Sequence, residues 1–246
     1  MIEVSEVTKY YGAFRALSSM SFDIREGEFI GLLGSNGSGK STLYRCILGI
    51  IDFEGQILVN GKDSLRDGKT VRGHIGYMPQ QASLHNDLSV SQTLEFYSEL
   101  RGGPASEAFG FLERVELSEV RKLRVGELSG GMKQRLSFIV SLIGNPQILL
   151  LDEPTVSMDQ RSQQIFLSWL EDLRSEGKTI LLSTHLLHDV LSLVDRSLTL
   201  DHGKLLETSN LLPSLVKIAS LNTRQRTSYN NVMMNRAKGG CNPNLP

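Results

Sequence analysis

The chain has 246 residues, 40% hydrophobic and 22% charged, with a net charge of −1. That length allows one or two domains with a buried core, and the near-neutral balance gives no global field toward nucleic acid or a membrane surface. No apolar run approaches the roughly 20 residues of a spanning helix, and Met1 to Glu6 has no basic stretch leading into an apolar one, so no secretory signal is expected. The two cysteines, Cys46 and Cys241, make no disulfide framework. Cys46 is expected to be a buried free thiol, and the expected compartment is reducing cytosol.

Residues 1 to 30 alternate through Ile2, Val4, Val7, Met20, Phe22 and Ile24, which predicts antiparallel strands with one wet face. After a turn at Glu26-Gly27, residues 28 to 33 run apolar into a glycine loop and read as a buried strand. Residues 55 to 60, followed by Gly61, read as a strand and a tight turn. Between 85 and 145 the strand pattern stops. Val90, Leu94, Tyr97 and Leu100 recur at helical spacing behind a possible cap at Ser89 or Ser91, Gly102-Gly103-Pro104 interrupts, and a second helix is expected over about 105 to 116. This stretch reads as an inserted helical subdomain.

From Gln147 the order becomes strand, helix, strand. The apolar runs at 148–151 and 179–183 suit parallel strands covered on both faces. The helix between them, over 160–175, is expected to turn Ile165, Leu167, Leu170 and Leu173 inward. A hairpin is expected over 196–207. The segment 209–246 contains Lys217, Arg224, Arg226, Arg236 and Lys238 and no acid. It reads as a basic, flexible, solvated tail, with a short amphipathic helix over 211–221.

Three motifs carry chemistry. Gly34-Ser35-Asn36-Gly37-Ser38-Gly39-Lys40-Ser41 follows an apolar strand and opens a helix, the context a phosphate loop requires. Backbone N–H groups would curl round the β- and γ-phosphates, the helix start would add its positive end, Lys40 would reach the β/γ oxygens and Ser41 a Mg²⁺ ion. Asp152 and Glu153 end a buried strand, where α/β sheets place ligand chemistry. Asp152 suits Mg²⁺ and Glu153 suits a water attacking the γ-phosphate. Leu128-Ser129-Gly130-Gly131-Met132 lies between these two and starts another helix, expected to bury Leu136, Ile139, Val140 and Ile143.

The order of these motifs resembles the ATP-binding-cassette (ABC) ATPases over residues 1 to about 208. The resemblance implies an α/β fold: a P-loop NTPase, RecA-like core with an N-terminal antiparallel β subdomain and an inserted helical subdomain over about 85–145. It implies ATP and Mg²⁺ as ligands, with Gly34 to Lys40, Ser41 and Thr42 on nucleotide. Ser41, Gln80 and Asp152 would serve the metal, and Lys40, Gln80, Glu153 and His185 the catalysis. Gln80, in Ile75-Gly-Tyr-Met-Pro-Gln80, matches the Q-loop glutamine. His185, in Leu182-Ser-Thr-His185, matches the switch histidine, although a lone histidine is ordinarily a core or capping residue. Asp159, in Ser157-Met-Asp159, matches the D-loop. Tyr11 matches the aromatic that stacks on adenine, with the adjacent Tyr10 as the competing choice.

In such proteins Ser129-Gly130-Gly131 closes over the ATP held by a second chain. The implied partners are therefore a second ATPase subunit, as a homodimer, and a transmembrane permease subunit on a separate chain. No nucleic acid is expected. Two departures from the family pattern stand out: Met132 where glutamine is usual, and Met158 where leucine is usual, the latter conserving volume. The expected function is the ATP-hydrolysing subunit of a transporter on the cytoplasmic face of the cell membrane, of the ABC-2 exporter type. The alternative is a soluble ABC ATPase acting on ribosomes or nucleic acid. An unrelated GTPase is disfavoured by the absence of an Asn-Lys-x-Asp motif.

Overall fold

The computed structural model describes residues 1–184 and 193–210. His185 and the 211–246 segment, with its expected helix and basic tail, lie outside the described residues. Among the described residues two sheets form. The first is antiparallel and made of β1 (Ile2–Tyr11), β2 (Phe14–Ile24), β4 (Glu54–Val59) and the two-residue β5 (Lys62–Asp63), in the order β2-β1-β4-β5. The alternation read from the sequence sets its register: Ile2 opposes Ile24 on one side and Val59 on the other, so the same face is apolar across three strands.

The second sheet joins β3 (Phe29–Leu33), β6 (Ile75–Met78), β7 (Ile148–Asp152), β8 (Thr179–Thr184), β9 (Arg196–Asp201) and β10 (Lys204–Asn210), ordered β10-β9-β3-β8-β7-β6. All neighbours are parallel except the β9–β10 hairpin. Every residue of β7 and β8 is buried, as parallel strands covered on both faces must be.

Helix α1 (Lys40–Ile47) lies between the sheets. Its Leu43, Tyr44 and Ile47 join Ile2, Met20 and Ile57 of the first sheet and Leu32, Leu150 and Leu181 of the second in one core. Tyr44 is fully buried, and its hydroxyl reaches the carbonyls of Leu151 at 3.2 Å and Leu181 at 3.1 Å. Burial pushes the phenol well above its usual range, with the nearby Asp152 charge adding to the shift, so the hydroxyl stays a donor. Its single proton is shared between the two carbonyls and ties α1 to the site end of the sheet.

Between β5 and β6 stands α2 (Gly68–His74), and between β6 and β7 the chain is helical: α3 (Val90–Arg101), α4 (Ala105–Arg114) and α5 (Gly130–Leu142). Ser89 and not Ser91 caps α3. Its hydroxyl accepts from the Gln92 N–H while the Gln92 side chain accepts from the Ser89 N–H, a reciprocal box. Gly102, in the left-handed conformation, ends that helix.

Two helix faces differ from expectation. In α6 (Gln160–Ser175) the inward side chains are Phe166, Trp169, Leu170 and Leu173, whereas Ile165 and Leu167 are only half-buried. Phe166 and Trp169 turn in because each packs edge-on against Phe138 of α5, with ring centroids 4.6 and 5.0 Å apart. In α5, Leu136, Phe138 and Ile139 are buried and Val140 is half-buried, since the helix presents Phe138 to α6.

Candidate nucleotide site

The phosphate loop leaves β3 at Leu33 and enters α1 at Lys40. Two glycines fit where no side chain would. At Gly34 (φ 155°) a Cβ would lie 2.4 Å from the Ser38 hydroxyl oxygen and 2.5 Å from the Leu200 carbonyl. At Gly39 (φ 112°) it would lie 2.9 Å from Leu17 Cδ2 and 3.0 Å from the Ala16 carbonyl. The loop is thus clamped between β2 and the turn after β9. The Gly203 N–H donates to the Ser38 carbonyl at 2.9 Å, and the Gly203 carbonyl accepts from the Ser18 N–H at 2.8 Å.

Lys40 and Glu153 are each only 5% exposed, and Lys40 Nζ stands 3.1 Å from Glu153 Oε1. The same ammonium donates to the carbonyls of Gly34 at 2.8 Å and Ser35 at 3.2 Å. It therefore sits in an all-oxygen cage at the helix start, the environment a phosphate oxygen would share. Glu153 holds a left-handed backbone (φ 47°) just beyond β7, a conformation costing about 1–3 kcal/mol for a non-glycine residue and persisting only when its surroundings enforce it.

The enforcing residue is Ser183 of β8, which the sequence reading passed over as part of an apolar strand. Its hydroxyl donates to Asp152 Oδ1 at 2.7 Å and accepts from the Glu153 N–H at 2.9 Å, and its carbonyl accepts from the same N–H at 3.2 Å. One buried serine thus fixes both acids. The only sequence signal was a hydroxyl in an otherwise apolar run beside Asp152, which needs the β7–β8 register, Asp152 opposite Ser183, to become visible.

Other predicted positions fall elsewhere. Ser41 and Thr42 follow Lys40 in the first turn of α1, both half-buried. Gln80 is exposed just beyond β6, and its carbonyl accepts from Gln134 Nε2 at 3.1 Å. Tyr11 and Tyr10 are about equally exposed at the β1–β2 turn, but only Tyr11 carries the Lys9 ammonium over its ring, 5.1 Å from the centroid.

Ser129 caps α5, its hydroxyl accepting from the Met132 N–H at 3.3 Å. Ser129 and Gly130 are exposed, and Gly131 passes so near the Ser157 carbonyl that a Cβ would meet it at 2.9 Å. Among the described residues no hydrogen bond or ion pair joins Ser129, Gly130 or Gly131 to the phosphate loop. Asp159 caps α6: its Oδ1 accepts from the Ser162 N–H at 2.7 Å, and that bond, with one from the Ser162 side chain, holds the carboxyl below the usual range.

The Ser41 hydroxyl, the Gln80 side-chain carbonyl and the Asp152 carboxylate all offer oxygen, the donor type a hard divalent cation takes. Among the described residues no cluster of three or more His, Cys, Asp or Glu could hold a metal. A cation here would take its remaining ligands from phosphate and water, as Mg²⁺ does in nucleotide sites.

Comparison with known proteins agrees with this geometry. Residues 17–156 match the family model of the ABC transporter. An uncharacterized ABC transporter ATP-binding protein of Methanocaldococcus jannaschii is 39% identical over 208 residues, covering 82% of this chain and 75% of that protein. The Nod factor export ATP-binding protein I of Rhizobium etli is 38% identical over 208 residues, covering 82% of this chain and 66% of its own. Among solved structures, a dimeric ATP-binding cassette in a post-hydrolysis state bound to ADP and Pi superimposes with a TM-score of 0.78 at 26% identity, covering 86% of this chain and 99% of that one. With a phosphate loop, two acids fixed at a strand end and a glycine-rich helix start in this order, the chain belongs to the ABC transporter family as an ATP-binding subunit, and it is an ATPase.

Proposed function

We propose that this chain powers a transporter whose membrane-spanning part is a separate chain, and that two copies work head to tail with two ATP molecules between them. The observation that carries this reading is the division of the site. Lys40, Asp152, Glu153 and Ser183 converge at the start of α1, while Ser129 to Gly131 form an exposed helix start bonded elsewhere. A second copy supplies what one chain lacks: its helix start, with free N–H groups and a positive end, faces the γ-phosphate. The similar cassette that is dimeric and bound to ADP and Pi supports the pairing of two copies.

In the proposed cycle Lys40 leaves Glu153 for the β/γ oxygens, and Glu153 becomes the base for the attacking water. The water oxygen bonds to the γ-phosphorus, the bond to the bridging oxygen breaks, ADP leaves with the electron pair, and the proton goes to Glu153. Bound Mg²⁺ would neutralise developing charge on the phosphates. Ser183 holds Glu153 and Asp152 in place throughout. Gln80, His185 and Asp159 complete the site, and Tyr11 takes the adenine.

We assign residues 1–208 to the ATPase domain, whose last strand runs on to Asn210, with the helical subdomain over about 85–145 and the remaining residues to 246 as a tail. We place the protein at the cytoplasmic face of the membrane. Among the described residues no helix is long and apolar enough to cross one. Export of the ABC-2 type is the reading we favour, supported by likeness to the Nod factor export protein. Co-expression of this chain with candidate polytopic membrane proteins, taken from the genes that neighbour its own, tests this. The expected result is an ATP-hydrolysing complex solubilised from membranes; co-sedimentation with ribosomes instead would overturn it.

A further inference from the structure

Helix α5 and strand β6 lie side by side and are pinned at both ends. At one end Gly76 has no room for any side chain: a Cβ would lie 2.0 Å from the Ser141 carbonyl, 2.8 Å from Leu149 Cδ2 and 2.9 Å from Pro146 Cγ. Arg101 reinforces that end, its Nη2 donating to the Ile75 carbonyl at 2.8 Å and its Nε to the Ile143 carbonyl at 2.9 Å. At the other end Gln134, 3% exposed, donates from Nε2 to the Gln80 carbonyl at 3.1 Å.

Gly76 meets Ser141 near the end of α5, and Gln80 meets Gln134 near its start. The two elements therefore run antiparallel as one stiff pair. A buried amide is costly unless bonded, so Gln134 does not part from the Gln80 carbonyl without a replacement. Gln80 stands at one end of this unit, and the Ser129–Gly131 helix start lies one turn from Gln134.

We propose that Gln134 is a positioning residue that couples Gln80 to the Ser129–Gly131 helix start. A displacement of Gln80 by the ATP of its own chain is carried along α5 to the segment that serves the other ATP. The inference rests on the roles proposed above for Gln80 and Ser129.

The test is a mutant cycle on steady-state ATP hydrolysis by the full chain, with thermal unfolding run alongside. The variants are Gln134→Met, Gln134→Glu, Gln80→Ala and the Gln80→Ala/Gln134→Met double. Met keeps the volume and loses the donor; Glu presents an acceptor to a carbonyl and keeps the proposal testable if Met disturbs folding. Loss of one such bond predicts kcat down about fivefold, with KM for ATP within about twofold, because the phosphate loop is untouched. Since Gln134 acts through Gln80, the double variant should be no slower than Gln80→Ala alone. Multiplying effects, or wild-type kcat in either Gln134 variant, would overturn the coupling. Wild-type kcat in Gln80→Ala would instead overturn the role assigned to Gln80.

Discussion

Glu153→Gln is the perturbation whose size the structure fixes best. Lys40 Nζ and Glu153 Oε1 are 3.1 Å apart and both nearly buried. At an effective dielectric of about 20 their Coulomb attraction is about 5 kcal/mol, offset in part by the cost of desolvating both groups. A net charge-assisted bond of about 1.5–3 kcal/mol is the reasonable remainder. Gln keeps the shape and an acceptor oxygen but removes the charge, so Lys40 is left among neutral oxygens, the Gly34 and Ser35 carbonyls included. Two consequences have opposite signs. Without nucleotide the variant should lose about 2 kcal/mol, lowering Tm by roughly 4–8 °C for a chain of this size. With ATP the triphosphate no longer has to displace a carboxylate, so the Kd should fall about tenfold or more. Thermal unfolding without nucleotide and titration with a fluorescent ATP analogue read the two effects separately. An unchanged Tm together with equal or weaker ATP binding would refute the idea that this pair holds Lys40 before phosphate arrives.

Two further outcomes follow from the packing. Gly76→Ala forces a methyl against the Ser141 carbonyl and should cost about 1–3 kcal/mol, seen as a lower Tm; an unchanged Tm would mean that α5 does not press on β6 there. Burial pushes the Cys46 thiol up to about 12, so in a Cys241→Ser background it should resist alkylation at pH 8 until the protein is denatured, and labelling of the native protein at a free-thiol rate would contradict that burial. Above about 9 the unfolded thiol loses its proton while the folded one keeps it, so this group's contribution to stability declines as pH rises from about 9 to about 12.

The sheets were legible because their signals are local and redundant. Alternation gave β1 and β2, uninterrupted apolar runs gave β3, β7 and β8, and Gly203 between two polar-apolar segments gave the β9–β10 hairpin. The phosphate loop, the two acids and the Ser129 helix start were equally local. What stayed hidden depends on pairing across the chain. Ser183 becomes a site residue only in register with Asp152, and Tyr44 only when α1 is laid across the ends of β7 and β8. The inward face of α6 was misread because aliphatic residues were favoured over Phe166 and Trp169, which the Phe138 ring draws in. The short β6, with Gly76 at its second position, carries too weak a strand pattern to be read alone; it is held by β7 and α5.

In the dimer proposed above, each chain holds half of each catalytic site. Glu153→Gln retains Lys40 and the whole phosphate loop but lacks the base, so ATP should bind and stay. Light-scattering mass measurement of this variant with saturating ATP and Mg²⁺ is the most direct test. A stable dimer with ATP retained, one molecule per chain, is expected; a monomer under those conditions would rule out the divided site.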